Sequence, residues 1–353
     1  MVGKYKINER VILTDSGGNR TLFVDGAITF NDSDGKTLTV RNTKKTLSPD
    51  FFTNYFHRVQ GATSGYCAGV YTTSSLNVIQ KFPFASDENS ADVGDLATSR
   101  SYASGHSSRT HGYSAGGFIS GTTTSDVIDK HPFTSDGNAA DVGDVTQGRY
   151  GGAGTMSSTH GYKAGGATLP FSPKNIIEKF PFSSDANSTD VGDTTVNKAF
   201  PGGNSSLTHG YASGGQPYST DNVIEKFSFA TDGNATDVGD LTVGRDAISG
   251  SSSTSEGFLA GGAISNTYSN NVNTIDKFPF SSDTNASDVG DLTQARFVIG
   301  GQSSLTHGHS TGGYTTSSAN TDVIDKYPFT SGSNATDVGN LLAAGRGLAG
   351  QQV

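Results

Sequence analysis

The chain has 353 residues, 47 of them glycine, with 16% charged residues, 33% hydrophobic residues and a formal net charge of −9. An acidic balance of this kind argues against nucleic acid as a partner, because the chain would repel phosphates. No apolar run approaches membrane-spanning length, so no membrane insertion is expected, and Met1-Val2-Gly3-Lys4-Tyr5-Lys6 is not a signal peptide. The single Cys67 excludes an intrachain disulfide.

Residues 1–55 do not repeat. Val11-Ile12-Leu13-Thr14 and Thr21-Leu22-Phe23-Val24 flank Asp15-Ser16-Gly17-Gly18, and Thr37-Leu38-Thr39-Val40 follows Asp34-Gly35. These are hairpin signals, and they predict a small β module. Residues 1–60 hold nine Lys or Arg against six Asp or Glu, whereas the remainder holds 15 against 27. A net +3 segment ahead of a net −12 segment fits either an arm packed on the rest of the chain or a docking module for a more acidic partner.

From residue 56 onward a single phrase sets the architecture. Asp-Val-Gly-Asp begins at Asp92, Asp141, Asp190, Asp237 and Asp288, and returns as Asp-Val-Gly-Asn at Asp337, with spacings of 49, 49, 47, 51 and 49 residues. A fixed period near 50 is one supersecondary unit copied and stacked, each copy burying its apolar face on its neighbours. Within each copy Gly-Tyr and Ile-x-Lys elements recur, separated by Gly, Asn, Asp and Ser clusters, with no capped helical period. Six such copies predict an all-β fold, a six-bladed β-propeller over 56–353.

Each copy divides into four strands. The innermost follows a basic residue, as in Arg149-Tyr150-Gly151-Gly152-Ala153-Gly154, and its small side chains suit the crowded axis. The second is Gly-Tyr-x-Ala-Gly-Gly, whose glycines permit close approach of backbone. The third, Val-Ile-x-Lys-Phe-Pro-Phe, supplies the apolar filling between blades, and its proline belongs at a strand end. The fourth holds Val-Gly-Asp. The last segment, Gly345 to Gln351, matches an inner strand but has no second strand after it, while the first copy lacks an inner strand. The C-terminal strand is therefore expected to complete blade one and close the ring.

The elements aromatic-x-Ala-Gly-Gly, Val-Ile-x-Lys-aromatic and Leu292-Thr293-Gln294-Ala295-Arg296 resemble the kelch repeat over more than four-fifths of the chain. The departure is the absence of tryptophan, whose place is taken by Val of Val-Gly-Asp. The wording Lys-Phe-Pro-Phe-x-Ser-Asp-x-Asn-Ala-Thr-Asp-Val-Gly-Asp-Leu-Thr is similar to repeats in virion structural and tail-fibre-like proteins of marine bacteriophages, notably those of cyanobacteria. That resemblance implies a virion component. With no signal peptide it is expected to assemble in the host cytoplasm, in multiple copies per particle, and the basic N-terminal module is expected to attach it to other virion proteins.

Several motifs have a plain structural reading. His111, His160, His209 and His307 precede Gly at equivalent positions, but Ser64 and Glu256 stand there in the other blades. Sixfold geometry also holds equivalent residues too far apart for one metal, so no metal or other cofactor is expected. The Asp-x-Asn-x-x-Asp run, as at Asp185, Asn187 and Asp190, offers oxygen ligands for calcium, yet side chains bonding their own turn explain it more simply. Arg100, Arg149, Lys198, Arg245, Arg296 and Arg346 recur once per blade and read as inter-blade pairing groups. No Gly-x-Ser-x-Gly elbow is present, and no enzyme is expected.

The asymmetry lies in the connections between second and third strands, which share one face and differ in every blade. They carry Tyr71, Phe118, Phe171, Tyr218, Tyr268 and Tyr314 among Ser, Thr and Asn. Variable loops on a rigid scaffold are where recognition resides, and aromatic faces with hydroxyls suit a sugar ring. The plainer reading is solvated loops with one packed aromatic each. The expected function is a tail fibre or spike-type adhesin contacting host surface polysaccharide. A head or tail decoration protein is the alternative, and a carbohydrate-active enzyme a distant third.

Overall fold

The computed structural model describes the strands within residues 11–47 by their backbone, and residues 60–216, 221–264 and 270–353 in full. The chain divides into two compact units, Met1–Arg58 and Val59–Val353. In the first, strands Val11–Ser16, Asn19–Asn31 and Thr37–Leu47 form an antiparallel sheet in chain order. Val11 pairs Val24 and Ser16 pairs Asn19, so the first expected hairpin is present. The second strand pairs the third from Arg20–Leu47 to Asn31–Thr37, with a bulge between Val24 and Ala27.

The second unit is a six-bladed β-propeller, and no helix occurs among the described residues. Blade two shows the pattern: Ser104–Ser107 innermost, then His111–Ser120, Thr123–Pro132 and Ala140–Asp144, each antiparallel to the one before. In five blades the third strand ends on a proline, Pro83, Pro132, Pro181, Pro279 or Pro328, where no ladder donor is needed. Blade one is built from both ends of the propeller, with Ala349–Gln352 beside Ser64–Tyr71. The chain is thus closed as the sequence predicts.

The axis is closed by glycine. Gly105, Gly154, Gly203, Gly250, Gly301 and Gly350 sit midway along the six inner strands. A methyl on any one would drive into the carbonyl of the equivalent glycine one blade back, Gly105 against Gly350 and so on round to Gly350 against Gly301. Between blades the third strands supply the core. Tyr211, Ile224 and Leu241 of blade four pack with Ile248, Leu259 and Phe278 of blade five, all buried.

The repeated phrase is an inter-blade staple. Each Val-Gly-Asp glycine has φ between 152° and 158°, and a Cβ there would strike a turn carbonyl of the next blade, Gly137 in the case of Gly94. The residue after it donates its N–H to an asparagine of that same turn. Asp95 donates to Asn138 at 3.0 Å, Asp193 to Asn234 at 3.0 Å, and Asn340 closes the circle on Asn89 at 2.9 Å. The Asp-x-Asn run is therefore only partly a turn that bonds itself. Asp92 does cap its own Gly94 N–H at 3.1 Å, but the asparagine reaches across to its neighbour, because stacked sheets leave that N–H at the blade edge.

A second staple joins the turn carboxylate to a lysine of the preceding blade. Lys81 meets Asp136 at 3.1 Å, Lys130 meets Asp185 at 2.5 Å, and Lys326 meets Asp87 across the closure.

Five of the basic residues are fully buried, each paired with a carboxylate on the third strand of the blade it enters. Arg100 pairs Asp129 at 2.8 Å, Lys198 pairs Glu225 at 2.6 Å, Arg245 pairs Asp276 and Arg296 pairs Asp325, both at 2.9 Å, and Arg149 pairs Glu178. The sixth departs from expectation. Gly345, not Arg346, holds that position, since its carbonyl accepts from Gly313 at 2.8 Å as Arg296's accepts from Gly262 at 2.9 Å. Its partner position holds the neutral Gln80, whose Oε1 accepts from the Leu342 N–H at 2.7 Å. Both charges are missing together, so neither is left buried without its counterion.

Candidate functional site

The residue two places after each basic position turns into the left-handed region. Tyr102, Gly151, Phe200, Ala247, Val298 and Gly347 have φ between 55° and 70°. Their backbones then bond to one another in a closed circle. Tyr102 donates to Gly347 at 2.6 Å, Gly347 to Val298 at 3.1 Å, Val298 to Ala247 at 2.8 Å, Ala247 to Phe200 at 2.8 Å, Phe200 to Gly151 at 2.6 Å, and Gly151 to Tyr102 at 2.8 Å. Four of the six are not glycine, and left-handed geometry at a bulky or β-branched residue is strained. The ring of bonds over-determines each residue and holds it there.

Above this ring lies a cup of about 460 Å³, on the face that carries the variable connections. Its wall is aromatic: Tyr71, Tyr102, Phe118, Tyr150, Phe200, Phe297 and Tyr314. All but Phe297 are half-buried, so their faces are presented rather than packed away. Neighbouring rings stand 5.7–6.5 Å apart, Tyr150 against Phe200 at 5.7 Å and Tyr71 against Phe118 at 6.5 Å. Below the ring the axis narrows to spaces of about 90 and 120 Å³.

Two charged groups break the sixfold pattern. Arg346, half-buried, has its guanidinium carbon 4.3 Å from the Tyr314 ring centre and 5.0 Å from that of Tyr71. Its Nε donates to Tyr102 Oη at 3.0 Å and its Nη1 to Asn320 Oδ1 at 3.3 Å. Asn320 is itself anchored, donating to the carbonyl of Thr72 at 3.1 Å. Asp246 is fully buried in the cup wall, and neither carboxylate oxygen meets a donor at hydrogen-bond geometry among the described residues. Burial pushes its pKa up to about 6, with Gln216 beside it drawing it partway back.

The expected candidates separate accordingly. Tyr71, Phe118 and Tyr314 come together in the cup wall. Phe171 does not line it and is 46% exposed. Tyr218 and Tyr268 lie outside the described residues. The sequence reading missed Tyr102, Tyr150, Phe200, Phe297, Asp246 and Arg346. Their signal was available: they occupy the two positions after the basic site, where the residue type varies from blade to blade although the flanks repeat closely. Several connections first read as loops are also strand ends, since Tyr71 pairs Ser75 and Phe118 pairs Thr124.

The histidines before glycine open the second strand of their blades, just after a turn. His111, His160, His209 and His307 each place Nδ1 2.8 Å from the preceding threonine hydroxyl. No group of three or more potential metal ligands occurs among the described residues. No protein-family model matches this chain, and no curated protein matches it.

Proposed function

We propose that the chain is a non-enzymatic structural protein of a bacteriophage virion. In this reading it is a tail fibre or spike-type adhesin whose propeller contacts host surface glycan through the face bearing the variable connections. The observation that carries the recognition step is the half-exposed aromatic wall around the axial cup on that face. Cups of this size, lined by rings and a few polar groups, are the usual form of a small-molecule site. The N–H-rich guanidinium and the tyrosine hydroxyls supply orientation, and the rings supply apolar surface for the C–H face of a sugar.

A recognition role also fits the chemistry better than hydrolysis. Glycoside cleavage ordinarily uses two facing carboxyl groups, and among the described residues lining the cup Asp246 supplies one. The virion assignment draws on the wording of the repeats, and the N-terminal unit with its net +3 charge is assigned to docking on other virion proteins. The test is binding of the full chain to host cells and to extracted surface polysaccharide, beside a Tyr71→Ala, Tyr102→Ala double variant. Saturable binding lost in the variant supports the adhesin. No binding by the wild type, with the chain still incorporated in many copies over the particle, makes it a decoration protein instead.

A further inference from the structure

Arg346 stands apart from the buried arginines of the ring. Arg100, Arg149, Arg245 and Arg296 each have a carboxylate at ion-pair distance. Arg346, half-buried in the cup wall, has none among the described residues. Its contacts are the Tyr71 and Tyr314 rings, Tyr102 Oη and Asn320 Oδ1. A lysine without a counterion can shed its proton, and burial lowers the fully buried Lys163 to about 7. A guanidinium cannot, so the charge of Arg346 stays.

The repeat does not call for that charge. The five equivalent positions hold Ser101, Tyr150, Ala199, Asp246 and Phe297, and the neutral Gly345 and Gln80 already stand where the other blades bury an ion pair. With Nε and Nη1 held by Tyr102 and Asn320, the guanidinium is fixed. Its Nη2 makes no hydrogen bond among the described residues and is not sealed from solvent. Asp246 does not compensate it. That carboxylate precedes blade five, two blades from Arg346, and both its oxygens are closed to solvent, so it meets neither Arg346 nor a ligand.

A fixed cation over aromatic rings selects an anion, because a charge-assisted hydrogen bond in such a site is stronger than one to a neutral hydroxyl. The net charge of −12 beyond residue 60 opposes anions at long range. Salt screens that field beyond about 8 Å, whereas the contact with Nη2 is direct. The cup's volume of about 460 Å³ is that of a small-molecule site.

We propose that the axial cup binds an acidic sugar unit of the surface glycan. One anionic oxygen, of a carboxylate or a sulfate, accepts from Arg346 Nη2, and the apolar face of the sugar ring lies on the aromatic wall. This rests on the reading that the variable face binds glycan.

The test uses the full chain with methyl glucuronide and methyl glucoside 6-sulfate, beside methyl glucoside and methyl glucosaminide as neutral and cationic comparators. Binding is read by saturation-transfer NMR and titration calorimetry for wild type, Arg346→Gln and Arg346→Lys, with melting curves to verify folding. At least one of the two acids should bind saturably and about tenfold or more tighter than methyl glucoside, the usual effect of a hydrogen bond to a charged group. Which acid binds tells carboxylate from sulfate. Arg346→Gln should erase the preference, and Arg346→Lys, which keeps the charge, should retain part of it. In the wild type the preference should also shrink as salt rises, a readout that stands even if a variant fails to fold. Equal or tighter binding of the glucoside or glucosaminide overturns the acidic class. A preference for the acid that survives in folded Arg346→Gln overturns the site. Host polysaccharide bound with no monosaccharide bound would sink the cup and leave the glycan adhesin standing. No binding of any sugar, polysaccharide or cell would sink both.

Discussion

The Lys277 ammonium lies 2.9 Å from the Glu256 carboxylate, within a single blade. In five other blades the equivalent lysine reaches the turn aspartate of the next blade, as Lys226 reaches Asp283 at 2.5 Å. Blade six has Gly332 in place of that aspartate, and blade five has Glu256 in place of a histidine or serine. The two departures compensate each other. Both groups of the Lys277 pair are partly exposed, at 31% and 26%, so screening should leave Glu256→Gln costing about 0–1 kcal/mol. Urea unfolding in low and high salt would check it, with the difference shrinking as salt rises.

The buried pairs should behave differently. Asp325→Asn leaves Arg296 fully buried without its counterion, and removal of one partner from such a pair costs about 3–5 kcal/mol. The converse change, Gln80→Glu, introduces a buried carboxylate where Gly345 supplies no cation, and it too should destabilise, most strongly at neutral pH and less in acid. Denaturation midpoints of the two variants against wild type at pH 7 and pH 4.5 measure both.

Glycines along the axis should be intolerant of a methyl group. Gly203→Ala forces a Cβ into the Gly154 carbonyl, an overpacking expected to cost about 1–3 kcal/mol or more. Gly137→Ala is the control, since a Cβ there meets nothing within 4 Å. Ala247→Gly goes the other way: with φ at 55° it relieves left-handed strain in the cup floor and should stabilise by about 1 kcal/mol. Thermal melts of the three variants decide.

Two buried groups set opposite pH trends. Asp246 is raised to about 6, chiefly by burial, so its folded form holds a proton that the unfolded chain has lost. Stability is present at pH 4 and is lost as pH rises through 6. Lys163, fully buried, is lowered to about 7, chiefly by burial and then by Arg149. The unfolded chain then holds the extra proton, and stability rises from pH 7 toward 10. Differences between wild type and Asp246→Asn, and between wild type and Lys163→Met, isolate the two slopes in melts from pH 4 to 10.

Calcium should leave the melting temperature unchanged, because Asn187 Oδ1 is committed to the Asp144 N–H at 3.0 Å. Asn187→Ala should cost about 0.5–1.5 kcal/mol as a lost hydrogen bond. A calcium-dependent rise that Asn187→Ala abolishes would contradict this.

Much of this architecture is legible in the sequence, because a repeat writes each local rule six times. The 49-residue period, proline at the end of the third strand and the unmatched C-terminal inner strand together imply a closed six-bladed ring. Small residues at the axis follow from crowding alone. Arg346 shows where that reading fails: a basic residue one place off looks equivalent by composition, and only the hydrogen bonds of Gly345 show that it is not.

The aromatic cup lay beyond the sequence for a related reason. Tyr71, Tyr102 and Arg346 are far apart in the chain and belong to different motifs, and only closure of the ring brings Arg346 over Tyr71 and its Nε onto Tyr102. Periodicity determines which residues face the axis, since the pattern acts locally and repeats. Which of them meet across it depends on the one copy that departs from the pattern, and that is decided by long-range packing.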